Sequence, residues 1–476
     1  MTQLDATIMR PPVNRAMRVL DRAFFSKTIP ISAARVFTNQ HISQCRKDLE
    51  KSGDLIQAPR LSAIIQDPDA ELAKQGRRCL LLRPEIKHDD TATWSKTINE
   101  LVESKRISLL PHSLKLNYDY WDYRRRNQVP QFDYQAKNIA VDDIVTSILP
   151  EEEQQEIPSG FSVIGHVAHL NLRSEYLPYK HLLAEVLLDK NPAVKTVINK
   201  VENVGTEDIF RTFPYELLAG PDDLNVEVKE EDCFFRFDFA KVYWNPRLHG
   251  EHQRLVSTFK EGEVVADVMA GVGPFAVPAG RKRIFCWAND LNPNSYESLV
   301  DATTRNKVGA YVKPFNDDGK AWIKSATSDL YHGAEHKVEI FSKPKSRSKG
   351  DKPTLERTMI QPKFFSHFIM NLPASALSFL PSFVSLYSSA KIPQGSPLPK
   401  VHAYCFSTKS VDNVQEGIEI CKIISGHLGY EFVPGDGEKE GEVLITDVRD
   451  VAPKKRMFCA SFMLPAEVAW RPVEGV

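Results

Sequence analysis

The sequence of 476 residues predicts an α/β protein with two or three domains. The chain is too long for one hydrophobic core, so more than one domain is expected. An apolar run at 264–268 has the character of a short buried strand and leads directly into a glycine-rich turn. A second apolar run at 284–288 also ends in polar residues, as strands do at the ligand-binding edge of an open α/β sheet.

The residues after these two strands have the properties of a ligand-binding loop. Ala270, Gly271 and Gly273 have little or no side chain, so backbone N–H groups can approach a ligand closely. Asp267 ends the first strand. Asp290 follows the second, where a carboxylate accepts hydrogen bonds from a ribose diol. These positions predict an enzyme with a nucleoside cofactor.

The chemistry of the turn indicates which cofactor it binds. Gly271, Gly273 and Ala276 satisfy the dinucleotide fingerprint, which keeps an NAD-dependent oxidoreductase as an alternative. However, Pro274-Phe275 crowds the helix N-terminus that a pyrophosphate requires, and Asp267 would repel phosphate. S-adenosylmethionine has no phosphate and carries a sulfonium and an amino group, so it fits these residues better.

Composition limits the remaining classes of function. The hydrophobic fraction of 42% and charged fraction of 26% are ordinary for a globular protein, and no run of eighteen apolar residues predicts a membrane span. Seven scattered cysteines without a C-x-x-C pair favour a reducing compartment and argue against zinc. His166 and His169 are three positions apart, which places them on opposite faces of a strand, and no further metal ligands accompany them, so no metal site is predicted. The net charge of −1 leaves nucleic-acid binding to local patches.

Changes in composition predict three domains, at 1–155, 156–240 and 241–476. The first boundary is the polar, turn-rich segment 151–160. The first 20 residues or so are rich in arginine and read equally well as a solvated tail or a mitochondrial transit segment. Residues 337–363 hold eight Lys or Arg against three acids, which predicts a solvated surface insertion with little fixed structure.

Four blocks of the sequence resemble the eukaryotic and archaeal tRNA (guanine-37 N1)-methyltransferases. The block at 241–252, K-V-Y-W-N-P-R-L-x-x-E-H, and the short block Asn371-Leu372-Pro373 are the more specific ones. The other two are I-G-H-V-A-H-L-N-L-R at 164–173 and the glycine loop at 267–275 with N-D-L-N-P at 289–293.

The resemblance implies a Rossmann-like S-adenosylmethionine-dependent methyltransferase domain preceded by two smaller α+β domains. It implies methyl transfer to N1 of the guanosine beside the anticodon, a modification that supports reading-frame maintenance. The expected partner is tRNA, contacted at the anticodon arm and the outer body. We also expect a monomer that binds no membrane and is located in the cytoplasm and nucleus, with the mitochondrial matrix as a further location.

The resemblance also implies roles for residues at matching positions. Glu251 is the expected general base and Arg211 the donor to O6, with Tyr243, Arg247 and Asn371 as further catalytic residues. The residues expected to bind the cofactor are His252, Asp267, Ala270, Gly271, Gly273, Asp290, Leu291, Asp318, Gly319, Asn371 and Pro373.

Two further functions remain as alternatives. A related tRNA aminocarboxypropyl transferase of the wybutosine pathway uses the same cofactor but moves its amino-acid arm. Members of that family tend to have Gly-Tyr-Phe where this chain has Gly273-Pro274-Phe275, and a Glu-containing block where it has Asp290, which favours methyl transfer. A non-catalytic tRNA-binding protein is the other alternative, and the joint retention of Glu251, Arg211 and Asn371 argues against it.

Overall fold

A computed structural model describes residues 10–58, 60–121, 143–154, 161–201, 210, 212–341 and 354–473. The chain separates into two compact units. The first consists of Met1–Ser162, His169–Asn199 and Leu217–Pro221, and the second of Val163–Ala168, Lys200–Glu216 and Asp222–Val476. The domain boundaries at 155 and 240 stay predictions.

The N-terminal part of the first unit is an antiparallel sheet covered by helices. Its strands are β1 (Lys27–Val36), β2 (Ile64–Gln66), β3 (Arg78–Leu81) and β4 (Ile107–Leu116), in the order β2-β3-β1-β4. Its helices are α1 (Ile42–Lys51), α2 (Ala70–Lys74) and α3 (Lys96–Glu103), followed by α4 (Asp143–Ile148). Leu49 of α1 and Ile98 of α3 belong to the same apolar core as Leu80 of β3, because each helix buries one apolar stripe.

The segment that follows contains a second small sheet and a two-stranded ribbon. Strands β5 (Ser162–Ile164), β6 (Val167–Leu170), β7 (Thr196–Lys200) and β8 (Tyr215–Ala219) form the sheet, and helix α5 (Lys180–Lys190) lies between β6 and β7 in the chain. Strands β9 (Asn225–Glu230) and β10 (Cys233–Asp238) pair antiparallel as the ribbon.

The C-terminal part has the Rossmann-like architecture predicted from the sequence. Its sheet has eight strands, in the order β13-β12-β11-β16-β17-β20-β19-β18. Strands β13, β12, β11, β16 and β17 are parallel and β20 is antiparallel to its neighbours. The strands from β11 onward are β11 (Val264–Asp267), β12 (Phe285–Asn289), β13 (Val312–Phe315), β14 (Lys337–Phe341), β15 (Leu355–Ile360), β16 (His367–Met370), β17 (Lys400–Ser407), β18 (Val433–Pro434), β19 (Glu442–Ala452) and β20 (Lys455–Met463).

Helices connect these strands and cover the sheet. They are α6 (His249–Thr258), α7 (Ala276–Arg281), α8 (Pro293–Arg305), α9 (Gly319–His332), α10 (Leu386–Ser389), α11 (Val414–Leu428) and α12 (Ala466–Ala469). Every residue of β11 and β12 is buried, as expected for central parallel strands covered on both faces. Among the residues that the structure describes, no helix combines the length and apolar character that a membrane span requires.

The basic insertion is more ordered at its ends than the sequence predicted. Strands β14 and β15 pair antiparallel, with Val338 against Met359. Val338 and Ile340 are buried while the residues beside them are exposed, which is the period-two pattern of a strand. The expectation of little fixed structure was wrong for the two ends of the insertion, β14 and β15. The many basic residues of the segment concealed the period-two pattern of a strand. Residues 342–353 lie outside the described residues.

Candidate active site

The predicted site residues lie where parallel strands end side by side. Strand β11 pairs with β12 through Asp267 and Ala288, and with β16 through Asp267 and Ile369. The carboxyl ends of all three strands therefore share one edge of the sheet. The glycine loop, Asp290 and Asn371 follow these three strands, so the fold brings three separate sequence blocks to one crevice.

The glycine loop has a backbone conformation that favours glycine. Gly273 has φ +96°, and a Cβ there would lie 2.6 Å from a methyl group of Leu299 in α8. Gly271 has φ +56°, and a Cβ there would meet nothing within 4 Å. Gly273 thus lets the loop pack on α8, while Gly271 borders open space in which a ligand can approach the backbone.

Asp290 fastens this loop to the second strand. Its carboxylate accepts hydrogen bonds from the backbone N–H of Gly271 at 2.7 Å and of Asn292 at 2.9 Å. Burial raises the pKa of Asp290, and the two backbone donors act in the opposite direction. The hydroxyl of Ser295 is a third donor to this carboxylate. A carboxylate has about four acceptor positions, so about one remains free, and the second hydroxyl of a ribose would have to replace Ser295 as a donor.

Asp267 is the most unusual group at this edge. It is fully buried, and neither of its carboxylate oxygens has a hydrogen-bond partner among the described residues. Burial, together with the charge of Asp290, raises the pKa of Asp267 well above its usual range. A buried acceptor without a partner is costly, and a cationic group would satisfy it. The sulfonium and amino groups of S-adenosylmethionine supply that charge, so these residues fit the predicted cofactor.

Asn289 holds the edge together and was not among the predicted site residues. Its amide donates to the carbonyl oxygens of Val268 and Asp317, both at 3.0 Å, and accepts from the N–H of Asp317 at 2.9 Å. It thereby joins the loops after β11, β12 and β13. The available signal was an asparagine at the end of a strand that is otherwise apolar and fully buried.

The residues expected on the adenine side are placed by helix α9. Asp318 caps this helix, since its carboxylate accepts from the N–H groups of Lys320 and Ala321. Gly319 is buried, and a Cβ there would lie 3.0 Å from Phe379 and from Val268. The Asp-Gly pair is therefore required by packing and capping, and its contact with adenine stays a prediction. Leu291, directly after Asp290, is 45% exposed, and its carbonyl oxygen accepts from the side-chain amide of Asn316 at 3.1 Å.

Glu251 is buried in α6 rather than being a solvated carboxylate on a helix face. It is 8% exposed, and both of its oxygens have partners. Arg254 binds it in a bidentate pair, with Nε donating to Oε2 at 2.7 Å and Nη2 to Oε1 at 2.6 Å. Tyr404 of β17 also donates to Oε1, at 2.6 Å. Such contacts stabilise an ionised carboxylate, which is the form that accepts a proton.

Ring contacts connect Glu251's surroundings with the turn after the glycine loop. The ring of His252 contacts Phe275 at 4.7 Å between centroids, and the ring of Tyr404 lies 6.2 Å from Phe275. His252 also bonds through Nδ1 to Glu230 of β9 at 2.6 Å. The predicted base therefore lies beside the predicted cofactor loop, although 15 residues or more separate the two in the chain.

Tyr243 and Arg247 are exposed near the start of α6. Tyr243 is 44% exposed, and its hydroxyl accepts from the side chain of Asn245 at 3.3 Å. Arg247 forms no ion pair with the described residues. Burial and the charge of Arg247 lower the pKa of Arg449 in β19, so two guanidinium groups lie close to each other. The carboxylate of Asp450 acts on Arg449 in the opposite direction, so the positive charge of this pair is partly compensated.

Asn371 and Pro373 follow β16. The amide of Asn371 is half-buried and forms no hydrogen bond with the part of the chain that the structure describes, so it is available to a ligand. The carbonyl oxygen of Pro373 accepts from the N–H of Phe406, which fixes this segment on β17. Arg211, the expected O6 donor, lies outside the described residues.

Comparisons with known proteins identify the family. Residues 226–332 match the family model described as the TRM5/TYW2 methyltransferase domain, and residues 141–223 match the TYW2 N-terminal domain. A protein of Aspergillus fumigatus named tRNA (guanine(37)-N(1))-methyltransferase is 51% identical over 98% of this chain and 96% of its own length. A Schizosaccharomyces pombe protein of the same name is 39% identical over 96% of this chain and 97% of its own. This chain belongs to the tRNA (guanine(37)-N(1))-methyltransferase family.

Solved structures support the fold. The crystal structure of WT Trm5b from Pyrococcus abyssi matches with a TM-score of 0.52 and 20% identity, covering 91% of this chain and 99% of that one. The complex structure of aTrm5 and tRNALeu matches with a TM-score of 0.54 and 19% identity, covering 91% and 100%. With family membership, these matches confirm the Rossmann-like methyltransferase fold and exclude the NAD-dependent oxidoreductase.

Besides Asn289, two residues of the candidate site were not predicted from the sequence, Tyr404 and Arg254. Arg254 is three positions after Glu251 on one helix, a spacing that brings side chains together, so it was within reach of sequence reasoning. Tyr404 is 153 positions from Glu251, and nothing local connects them. Among the described residues, no group of three side chains that could hold a metal ion is found.

Proposed function

We propose that this protein transfers a methyl group from S-adenosylmethionine to N1 of the guanosine at position 37 of tRNA. The observation that carries the proposal is the near-full-length identity of 51% with a protein named for this activity. The position of Glu251 beside the glycine loop supports it, since methylation of N1 requires a base next to the methyl donor.

The reaction requires two functions from the protein. Guanine N1 carries a hydrogen and is a poor nucleophile until that proton is removed, and negative charge then develops on O6. Glu251, which accepts hydrogen bonds from Arg254 and Tyr404, would accept the proton. Arg211 would stabilise O6, because a guanidinium is permanently charged and donates in a fork. The amide of Asn371 would orient the base or the cofactor from the same edge.

The cofactor supplies an electrophilic methyl group when it is bound. Asp290 would accept hydrogen bonds from the ribose hydroxyls, and Asp267 would lie near the cationic portion. Gly271 leaves space for close approach to the backbone. These roles need no phosphate-binding element.

Binding of tRNA would use local positive charge, since the net charge of the chain is −1. Arg247 and Arg449 form such a local site in the methyltransferase domain and would contact backbone phosphates near the target base. We further propose that the N-terminal residues contact the tRNA outer body, that the enzyme is a monomer, and that it acts in the cytoplasm and nucleus and in the mitochondrial matrix.

The test is incubation of the purified protein with methyl-labelled S-adenosylmethionine and tRNA transcripts that carry G, A or C at position 37. We expect label only in the G transcript, located at N1 by nucleoside analysis, with S-adenosylhomocysteine as the by-product. The isosteric variant Glu251→Gln is the matched control. Methylthioadenosine as by-product would instead indicate the aminocarboxypropyl transferase, and tRNA binding without any product would indicate the non-catalytic protein.

A further inference from the structure

One face of the methyltransferase sheet is polar where buried strands are normally apolar. His367 of β16, His402 and Tyr404 of β17, and Cys459 and Ser461 of β20 share this face. We call these five residues the polar seam. Buried polar groups cost free energy unless they are hydrogen-bonded, so a seam of five in the middle of a sheet indicates a function.

The polar seam is internally hydrogen-bonded and lies beneath α6. His367 bonds to His402 at 3.1 Å, and His402 bonds to the hydroxyl of Ser461 at 2.8 Å. Phe259, directly after α6, contacts the ring of His367 at 4.6 Å. Burial lowers the pKa of His402 well below its usual range, so this histidine is neutral near pH 7. His402 is therefore a neutral dipole in the seam, whereas His367 also contacts the carboxylate of Glu263, with Nε2 and Oε2 3.3 Å apart.

Tyr404 is the seam residue that contacts Glu251. Its side chain is fully buried, and its hydroxyl donates to Oε1 at 2.6 Å. Burial raises the pKa of Tyr404 well above its usual range, so the phenol keeps its proton and remains a donor. Its ring centroid lies 6.2 Å from that of Phe275, which follows the glycine loop and Pro274 in the chain. Tyr404 thus connects the carboxylate to the rigid sheet.

We propose that Tyr404 is a positioning residue, which holds Oε1 of Glu251 so that Oε2 accepts the proton from guanine N1. Oε1 receives two donors, Tyr404 and Nη2 of Arg254, which together use both of its lone pairs. Among the described residues, Oε2 receives only Nε of Arg254, which leaves one lone pair of this oxygen free. In the step, the N1–H bond breaks and the proton bonds to Oε2, while the electron pair of N1 forms the bond to the methyl carbon. The sulfur–methyl bond breaks at the same time, and its electron pair stays on the sulfur of S-adenosylhomocysteine, which leaves. The inference rests on the proposed function.

The test compares two tyrosine-to-phenylalanine variants in the whole protein. Tyr404→Phe removes only the hydroxyl and keeps the ring. Tyr387→Phe is the matched control, because Tyr387 is also buried and donates one hydrogen bond, to the carbonyl oxygen of Pro397 at 2.7 Å, away from Glu251. Both variants should lower the midpoint of thermal unfolding by similar amounts. Only Tyr404→Phe should lower the single-turnover methylation rate, by about 10- to 100-fold, the equivalent of one charge-assisted hydrogen bond.

Two further measurements separate positioning from general damage. Tyr404→Phe should move the rising limb of the rate–pH profile to higher pH, because the carboxylate loses a donor that favours its charged form. Made in the Glu251→Gln background, it should change the rate by no more than about twofold, because Tyr404 acts through Glu251. Affinities for S-adenosylmethionine and tRNA should remain those of the wild type.

The outcomes distinguish this inference from the proposed function. A wild-type protein that methylates no guanosine at position 37 contradicts the proposed function and with it the inference. An active wild type with a Tyr404→Phe rate and pH profile equal to those of Tyr387→Phe contradicts the inference alone. Additive rate losses in Tyr404→Phe and Glu251→Gln would also overturn it, since Tyr404 would then act independently of Glu251.

Discussion

Replacing Asp267 with asparagine should abolish a pH dependence of stability that the buried carboxylate causes. Asp267 is fully buried without a hydrogen-bond partner among the described residues, and burial raises its pKa well above 3.8. Consider a group whose pKa is higher in the folded than in the unfolded protein. At pH values below the unfolded pKa, this group makes its full contribution to the free energy of unfolding. That contribution is lost as pH rises through the folded pKa.

The slope follows from the linkage of protons to folding. Between an unfolded pKa of about 3.9 and the raised folded pKa, one such group lowers the free energy of unfolding by about 1.4 kcal/mol per pH unit. The side-chain amide of the Asp267→Asn variant cannot titrate, so this contribution disappears. The control Asp329→Asn alters an exposed carboxylate on α9 and should leave the slope unchanged.

The affinity for the cofactor should also depend on pH through Asp267, but it should rise with pH where the stability falls. A cationic ligand favours the ionised form of Asp267, so the affinity of the wild type for S-adenosylmethionine should rise by up to about tenfold per pH unit below the raised pKa. Asp267→Asn should bind more weakly and without this dependence. Urea unfolding and calorimetric titration across pH 4.5 to about 8 measure both effects. Equal pH slopes for wild type and Asp267→Asn in both assays would refute the reasoning.

Three further substitutions test the remaining site residues. Asp290→Ala should weaken S-adenosylmethionine binding by removing charge-assisted ribose contacts worth about 1.5–3 kcal/mol each. An unchanged dissociation constant in calorimetry would show that Asp290 does not bind the cofactor. Glu251→Gln should lower the single-turnover rate by about two to four orders of magnitude, the usual contribution of a general base. The affinities for cofactor and tRNA should change little. A burst rate within a few-fold of wild type, with the same pH profile, would mean that another group takes the proton. Arg211→Ala should raise the barrier to methyl transfer by roughly 2.7–4 kcal/mol while affecting tRNA affinity less; a loss of affinity with intact single-turnover chemistry would make it a positioning residue.

The local sequence was sufficient to predict the strands that carry the site. The runs at 264–268, 284–288 and 367–370 correspond to β11, β12 and β16, since continuous apolar segments between turn residues form buried parallel strands. The local pattern did not lead to a correct prediction for β14 and β15, where the basic composition of the surrounding segment concealed the alternation of a strand. The lysines around β14 and β15 suggested a solvated segment, although Val338 and Ile340 alternate with polar residues as a strand requires.

By itself, the sequence was sufficient to predict the glycine loop and the place of Asp290 after the next strand, because each depends on residues close together in the chain. The role of Glu251 was predicted by the resemblance of the block at 241–252. Only the tertiary structure decided which groups surround Glu251. Tyr404 reaches it from a strand 153 positions away, and Asn289 joins three loops through hydrogen bonds spanning 21 and 28 positions. Such contacts depend on the order and register of strands, which the packing of the whole sheet sets and no local periodicity encodes.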